Sequence, residues 1–507
     1  MDAISYNLAR SAILRRAEPP YSALVAKDGS TVWAENSDGK TIASGEAGVD
    51  DASVIQSALD ALTSGRTWKE LVLLKGSFKI NQSINVPEYC ILSGGVLDCN
   101  LQDSDAIVIK GSNVEISGLK ILGNSSADTN KCRIGIYSAY DTNENIIIKD
   151  CELYDCYGAF MYLHGHDIHL INLKCDGVYK SKESFASIQF HYSYNVFIER
   201  LNVRNTDWDV LAGYGFMVID KFTIEKSAEG AGINIDAHNT ATSKKVIIKN
   251  GKISDAKIVG IRLDGNVAEI SVEDVFIEGC GDGMHIGSAI GGIINIKSCT
   301  FKSNEGGGIV MKSDYTERLN ITDCWFIENG YRGLEIWGRS GCEHKTIKGC
   351  YFIKNKDVGL YIYKAEAGSK YYTIVNNHFI DNDSVGLRVE IGYPIIEGNI
   401  FSAPEGLQTT PVLLTGDAPG TAIIRRNTGY TTENSGVATF SGDGTTTQFS
   451  IAHGLVSTPA KVLVTPMTAD AAADFYVTAD DTNIYINYKS APPSGTDNLK
   501  FSWYAEV

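Results

Sequence analysis

The sequence is poor in several things, and each shortage excludes a class of protein. No uninterrupted apolar run reaches the roughly 18 residues that a membrane-spanning helix needs, so membrane insertion is not expected. Prolines number 11 against 50 glycines, a balance that suits many tight turns between short strands rather than disorder. No CxxC pair occurs among the 11 cysteines, so a zinc site is not expected, and the odd count leaves no complete disulfide framework. Positive charge is also short: 45 Lys and Arg face 61 Asp and Glu, for a net charge of −16. Nucleic-acid binding, which needs a basic face, is therefore excluded as a general activity. A local basic patch still allows an acidic substrate. The opening "MDAISYNLARSAILRRAEPP" has no signal-peptide core. Ile4, Leu8, Ile13 and Leu14 suit a short amphipathic packing or attachment segment. A protein that acts outside the cell with such a start would leave by a route other than the signal-peptide one.

At 507 residues the chain exceeds one compact core, so several units or one repetitive architecture are expected. From about residue 90 to 400 one pattern returns: "LNITDCWFIENGYRGLEIWG", then "KTIKGCYFIKNKDVGLYIYK", then "YTIVNNHFIDNDSVGLRVEI". Asn304, Asn329, Asn355 and Asn382 recur at intervals of 25, 26 and 27 residues. Gly308, Gly333, Gly359 and Gly386 keep step with them. Such self-similarity marks a solenoid. The units alternate with period two, are rich in Ile and Val, and contain no helical pattern. Each is thus one coil of a parallel β-helix, and roughly a dozen coils fit. Asn at the turns suits the left-handed conformation and side-chain hydrogen bonds along the stack. Cys151, Cys299, Cys324 and Cys350 share one position of the repeat and are expected as buried, stacked small residues.

Ahead of the repeat, "GVDDASVIQSALDAL" predicts a helix capped by Asp50 or Asp51, with Val54, Ile55, Ala58, Leu59 and Leu62 as its apolar stripe. "DDASVIQSALDA" resembles the opening helix of the pectate-lyase-like superfamily, which includes polysaccharide lyases, glycosidases and viral tailspikes. The resemblance covers roughly residues 48–400. It implies an all-β, right-handed parallel β-helix capped by that helix and, from the tailspikes, a homotrimer outside the cell, on a cell surface or on a virion. Four segments are expected: an N-terminal attachment or capping segment (1–47), the β-helix (48–402), a linker or cap (403–435) and a β-sandwich-like C-terminal domain (436–507). The last rests on alternating strands broken by Gly, Asp-Asp and Pro turns. It resembles the small modules that end some viral tail proteins.

Outward positions after the repeat's glycine should stack into columns. The first runs Tyr137, Phe160, Gln189, Leu211, Asn234, Arg262, His285, Val310, Glu335, Tyr361, Arg388. The second runs Ala139, Tyr162, His191, Gly213, Asp236, Asp264, Gly287, Lys312, Trp337, Tyr363, Glu390. A third holds His164, Ser193, His238, Asn266, Asp314 and Arg339. Charge and imidazole gather in the middle coils and aromatics lie beyond them. Aromatic faces suit sugar rings, and Arg, Asn and Asp suit hydroxyls and carboxylates. The expected substrate-binding set is Asn234, His285, Lys312, Glu335, Trp337, Tyr361, Tyr363 and Tyr162, along a linear polysaccharide.

Asp236 and Asp264 fall on neighbouring coils, about 4.8 Å apart. Close carboxylates raise one pKa, which makes a general acid. Alternatively the pair, with Asn234 or Asn266, holds calcium. For glycosidases a carboxyl separation of about 5–5.5 Å suits retention and about 6.5–9.5 Å inversion. Elimination on a uronate needs a cation, a base and an acid. Arg262 or Lys312 would neutralise, His238 or His191 would be the base, and a nearby Tyr or His the acid. The expected catalytic set is therefore Asp236, His238, Asp264, His191 and Arg262. "Asp236-Ala237-His238-Asn239" is similar to the Asp-Pro-His-Glu signature of mannuronan C5-epimerases and related alginate lyases, without its Pro and Glu. Lys131, Tyr157 and His164 offer a rival register. Imidazole and cation content favours a polysaccharide lyase acting on a uronate-containing polymer, with a glycoside hydrolase second. The alternative is a non-catalytic glycan-binding spike or a structural surface fibre.

Overall fold

Apolar residues at every second position, interrupted by short turns, give three strands per coil. The computed structural model describes residues 21–126, 129, 131–179, 186–213, 216–237, 245–265, 267–287, 292–312, 318–337, 344–363 and 371–507, without the side chains of residues 192, 236 and 237. His238, Asn266, Asp314 and Arg339 lie outside the described residues, as do the first 20 positions. A representative coil is Arg318–Thr322, Trp325–Ile327 and Leu334–Trp337. Each strand pairs in parallel with its counterpart one coil on, as in Leu319↔Lys345, Phe326↔Phe352 and Leu334↔Leu360. The result is a β-solenoid of about 12 turns. A single apolar cluster fills it, from the N-terminal strands to Ala418.

Two corners set the shape of every coil. After the first strand comes a left-handed residue: Asn250, Asp274, Ser298 and Asp323 all have φ between 53° and 55°. The next side chain turns inward, which places Cys299, Cys324 and Cys350 at 0 % exposure. All ten described cysteines are buried and reduced, and burial pushes the Cys90 and Cys151 thiols up to about 12. The second corner holds the asparagine ladder. Asn304, Asn329 and Asn355 each donate from Nδ2 to the next Oδ1 at 2.9 Å. The left-handed residue is not the Asn itself but the one before it, namely Ser303, Glu328, Lys354 and Asp381. The inward turn that buries the amide needs the reversal one position earlier.

The helix spans Asp51–Asp60 and buries Val54, Ile55, Ala58 and Leu59. Asp50 occupies the N-cap position without a side-chain cap bond, because its carboxylate accepts the Glu46 N–H at 2.8 Å. Buried Asp51 instead accepts the Gly48 and Lys79 N–H groups and pairs with Lys27 at 2.8 Å. Before the helix, the strands Ala23–Asp28, Thr31–Asn36 and Thr41–Glu46 form an antiparallel meander, and the first also pairs in parallel with Glu70–Lys75. The described part of the first segment is thus built into the solenoid's end. The ladder also continues past residue 402, through Thr410–Leu414 and Ile423–Arg425, so most of the stretch expected as a linker forms the last coil. Beyond it, two three-stranded antiparallel sheets enclose a separate core of Phe449, Ile484, Ile486, Phe501 and Trp503. Among the described residues no helix is long and apolar enough to cross a membrane.

Candidate functional site

The third strand of each coil carries the outward columns, and the pairing fixes their membership. Tyr137 pairs with Tyr162, which pairs with Gln189, then Ala212, Asn234, Arg262, His285, Val310, Glu335, Tyr361 and Arg388. Phe160 and Leu211, expected in this column, are fully buried, and Tyr162 and Ala212 take their places. A one-residue slip at Leu211 exchanges the two faces of the strand. In the second column His164, expected one column further out, pairs with His191. The shift follows from Tyr162, not Phe160, being the first outward position of this strand; a bulge comes only after His164, between it and His166. Gly165 sits in it at φ 124°, where a Cβ would run into the Asn143 carbonyl. Ser193 turns inward and is buried.

The structure divides the expected residues into two groups. The first spans the rungs from Asn234 to Tyr361. The Arg262 Nε lies 3.1 Å from Asp264 Oδ2. Asp264 extends over the next coil, where Gly287 leaves room: a Cβ there would collide with its Oδ1. Asp236 pairs with Asp264 across the strands, although the Asp236 side chain is outside the described atoms. Calcium was the other reading of this pair. The Asp264 carboxylate faces the Arg262 guanidinium, and Asn234 gives its amide N–H to Asp209 at 2.7 Å, so both have protein partners. His285, one rung beyond Arg262, has its pKa lowered by burial and then by the Lys312 charge, against the pull of Asp264. Its imidazole is therefore neutral at pH 7.

Lys312 joins this cluster to a cleft of about 440 Å³ lined by Asp282, Arg332, Glu335, Trp337, Tyr361 and Tyr363 among others. The Lys312 ammonium lies 5.3 Å over the Trp337 ring. Trp337 donates its indole N–H to Glu335 at 2.7 Å and meets Tyr363 edge-on at 5.4 Å. Arg332 packs over Tyr361 at 4.2 Å and pairs with Glu335 at 2.8 Å and Asp357 at 3.1 Å. The Tyr361 hydroxyl donates to Glu390 at 2.7 Å, and burial first, then that bond, raises its pKa. Among the described residues Lys312 has no carboxylate partner, whereas the three arginines of this face do. Four rung spacings separate Arg262 from Tyr361, about 19 Å.

The second group lies upstream. His191 does not join Arg262 and Asp264. It is two rungs from Asp236, about 10 Å, and meets His164 and Tyr162 at ring separations of 4.9 and 5.9 Å. Burial and the neighbouring His164 lower its pKa. His164 hydrogen-bonds Asp141, and Tyr137 flanks Tyr162 at 5.9 Å.

The profile for "Right handed beta helix region" matches residues 186–352. The fold is a right-handed parallel β-helix. Among solved structures, a tailspike protein of Escherichia coli bacteriophage HK620, in complex with a pentasaccharide, is 9 % identical. The match covers 90 % of both chains with a TM-score of 0.51. The periplasmic alginate epimerase AlgG is 11 % identical over 68 % of this chain and 77 % of its own, with a TM-score of 0.39. The Dettilon tailspike is 13 % identical over 89 % and 90 %, with a TM-score of 0.33. No curated protein sequence matches significantly.

Several residues of the β-helix face were not among the sequence candidates. Asp282 and Arg332 stand immediately before the repeat's glycine, and Asp357 two residues before it, whereas the columns were counted only after that glycine. The signal was present in "YRGLEIW", where Arg332 and Glu335 are three residues apart. Asp141 lies in a turn, where no period marks it.

Proposed function

We propose that this β-helix binds and cleaves an acidic, uronate-containing polysaccharide along the face from Arg262 to Tyr363, outside the cell and as part of a virion tailspike. The observation that carries the reading is the Lys312 ammonium poised over Trp337 at the mouth of the cleft. It offers a cation with no carboxylate partner among the described residues to a sugar carboxylate, beside an aromatic surface for the ring. The pentasaccharide in the tailspike of like fold makes oligosaccharides the first ligands to try. β-Elimination is the preferred reaction: Lys312 or Arg262 neutralises the carboxylate, neutral His285 takes the C5 proton and, as the imidazolium, returns it to the oxygen leaving C4 as the C4=C5 double bond forms, and Asp264 orients Arg262. Hydrolysis through Asp236 and Asp264 is the second choice.

The test is a panel of anionic and neutral polysaccharides incubated with the full chain and read two ways. Unsaturated product absorbance is expected on a uronate polymer. New reducing ends without absorbance would select hydrolysis. Affinity without any product would leave a binding spike, and neither affinity nor product a structural fibre.

Binding has its own prediction. Trp337→Ala removes the ring under Lys312 and the indole partner of Glu335. Loss of such an aromatic anchor costs about 2 kcal/mol, a roughly thirty-fold rise in Kd. Calorimetric titration with an uncleaved oligosaccharide should show it. An unchanged Kd places the ligand elsewhere on the β-helix.

A further inference from the structure

Upstream of the cleft the same outward face holds three metal-competent side chains. Asp141, His164 and His191 each place one ligand atom within 4.8 Å of the other two. Nothing in the cysteine spacing pointed here, because the ligands are two imidazoles and a carboxylate. We propose that Asp141, His164 and His191 bind one divalent first-row transition ion of the zinc class, with water completing its coordination.

The geometry is built rather than incidental. His164 and His191 are cross-strand partners on adjacent rungs, with ring centroids 4.9 Å apart and planes at 64°. Parallel neighbours held by a ladder keep that separation fixed. Asp141 comes from the turn after Ile134–Ser138 and already hydrogen-bonds His164. That turn is pinned from beneath. Buried Ser138 donates to the His164 carbonyl at 2.8 Å, and buried Asn143 donates to Ser138 Oγ at 3.0 Å. On the other side the buried Ser193 hydroxyl donates to the Leu163 carbonyl at 3.1 Å. Gly165, next to His164, lets the Asn143 backbone approach this corner closely. A site whose ligands are fixed by a supporting hydrogen-bonded shell is what metal affinity requires.

Ligand chemistry selects the ion. Two imidazoles and one carboxylate suit zinc, cobalt, nickel or copper, whereas calcium and magnesium prefer all-oxygen sets. Metal bonds of about 2.0–2.2 Å hold neighbouring ligand atoms about 3.4 Å apart, so atoms within 4.8 Å of one another come into range by side-chain rotation. Three protein ligands leave coordination positions open. Asp141 is 58 % exposed and His164 14 %, so the ion enters from the Asp141 side while Tyr137 and Tyr162 wall the other. Four rungs, about 19 Å, lie between Tyr162 and Arg262, so this site is separate from the polysaccharide cleft.

The test uses the tag-free full chain, stripped with a chelator and titrated with Co²⁺ by visible absorption and with Zn²⁺ by calorimetry. One site per chain is expected, with Co²⁺ ligand-field bands that Zn²⁺ abolishes. His164→Ala and His191→Ala should each weaken Zn²⁺ binding by about 100-fold or more. Asp141→Asn, in an exposed turn where folding is not at stake, should weaken it about tenfold and alter the Co²⁺ bands. Glu335→Gln, in the cleft, should leave binding unchanged. Absent Co²⁺ bands together with absent Zn²⁺ heat overturn the proposal. So does a site that survives Asp141→Asn and both histidine substitutions unchanged.

Discussion

The Asp264→Asn protein is expected to fold normally and to lose polysaccharide turnover by a factor of roughly 10²–10⁴. The side chain is 21 % exposed and faces Arg262 at 3.1 Å, so in the proposed elimination its charge would align the guanidinium for a substrate carboxylate. In the hydrolytic alternative the same carboxylate would act with Asp236, and Asp236→Ala belongs in the same series. Gly287→Ala should reproduce much of the loss without touching a charged group, because the new methyl group occupies the space of Asp264 Oδ1. Turnover should also fall with acidity. His285 works as a base only when neutral, and burial with Lys312 holds its pKa below the ordinary 6.5. Activity is therefore retained through pH 6.5 and lost as the pH drops through that lowered value. Initial rates across pH, with melting curves for each variant, check all of this. Full turnover in Asp264→Asn would move the chemistry off this rung.

Asn355→Ala should be strongly destabilising while leaving the surface intact. The Asn355 Oδ1 accepts from Asn329 Nδ2 at 2.9 Å, and its Nδ2 donates to Asn382 Oδ1 at 2.9 Å and to the Phe326 carbonyl at 3.0 Å. The ladder then continues from Asn382 to Gln408 at 3.1 Å. Truncation strands polar groups on both neighbouring coils, where Asn329 and Asn382 are fully buried. Each unsatisfied buried group costs about 1–3 kcal/mol, so a loss of about 3 kcal/mol or more is expected. A partly exposed amide pair gives the comparison. Asn320 donates to Asn295 at 2.8 Å, and Asn320→Ala should cost well under half as much because solvent replaces the bond. Urea unfolding measures both. Hydrogen exchange should find the Asn355 defect concentrated in the coils on either side, since a solenoid's units contact only their neighbours. Equal losses in the two variants would remove the buried ladder from the account of stability.

Legibility in the sequence followed regularity. The coils, the buried cysteine column and the asparagine ladder repeat at near-constant intervals, so periodicity alone located them. The left-handed corner was misplaced by one residue, because asparagine's preference for that conformation was given more weight than the burial its amide achieves by facing in. The columns from Arg262 to Arg388 were readable because those coils differ in length by only a few residues. Between 158 and 215 the strands lengthen and bulge, and a slip of one or two residues moved Phe160, Leu211 and His164 to other columns. His191 was consequently grouped with Arg262 when its neighbours are His164 and Tyr162. Asp282 and Arg332 escape the column pattern for a simpler reason: they line the cleft from positions just before the repeat's glycine.

The stacked third strands also act as a ruler. Each coil advances the face by one strand spacing, about 4.8 Å, whatever its turns contain. The distance from the imidazole group to the aromatic cleft is therefore counted in whole coils, and point substitution cannot adjust it. Gaining or losing a repeat between Ala231–Ala237 and Leu334–Trp337 would shift one end of the groove by a full step while preserving every corner hydrogen bond. Selection for longer or shorter saccharides on such a scaffold would then proceed by duplication of coils, while the side chains at each end tune what is gripped there.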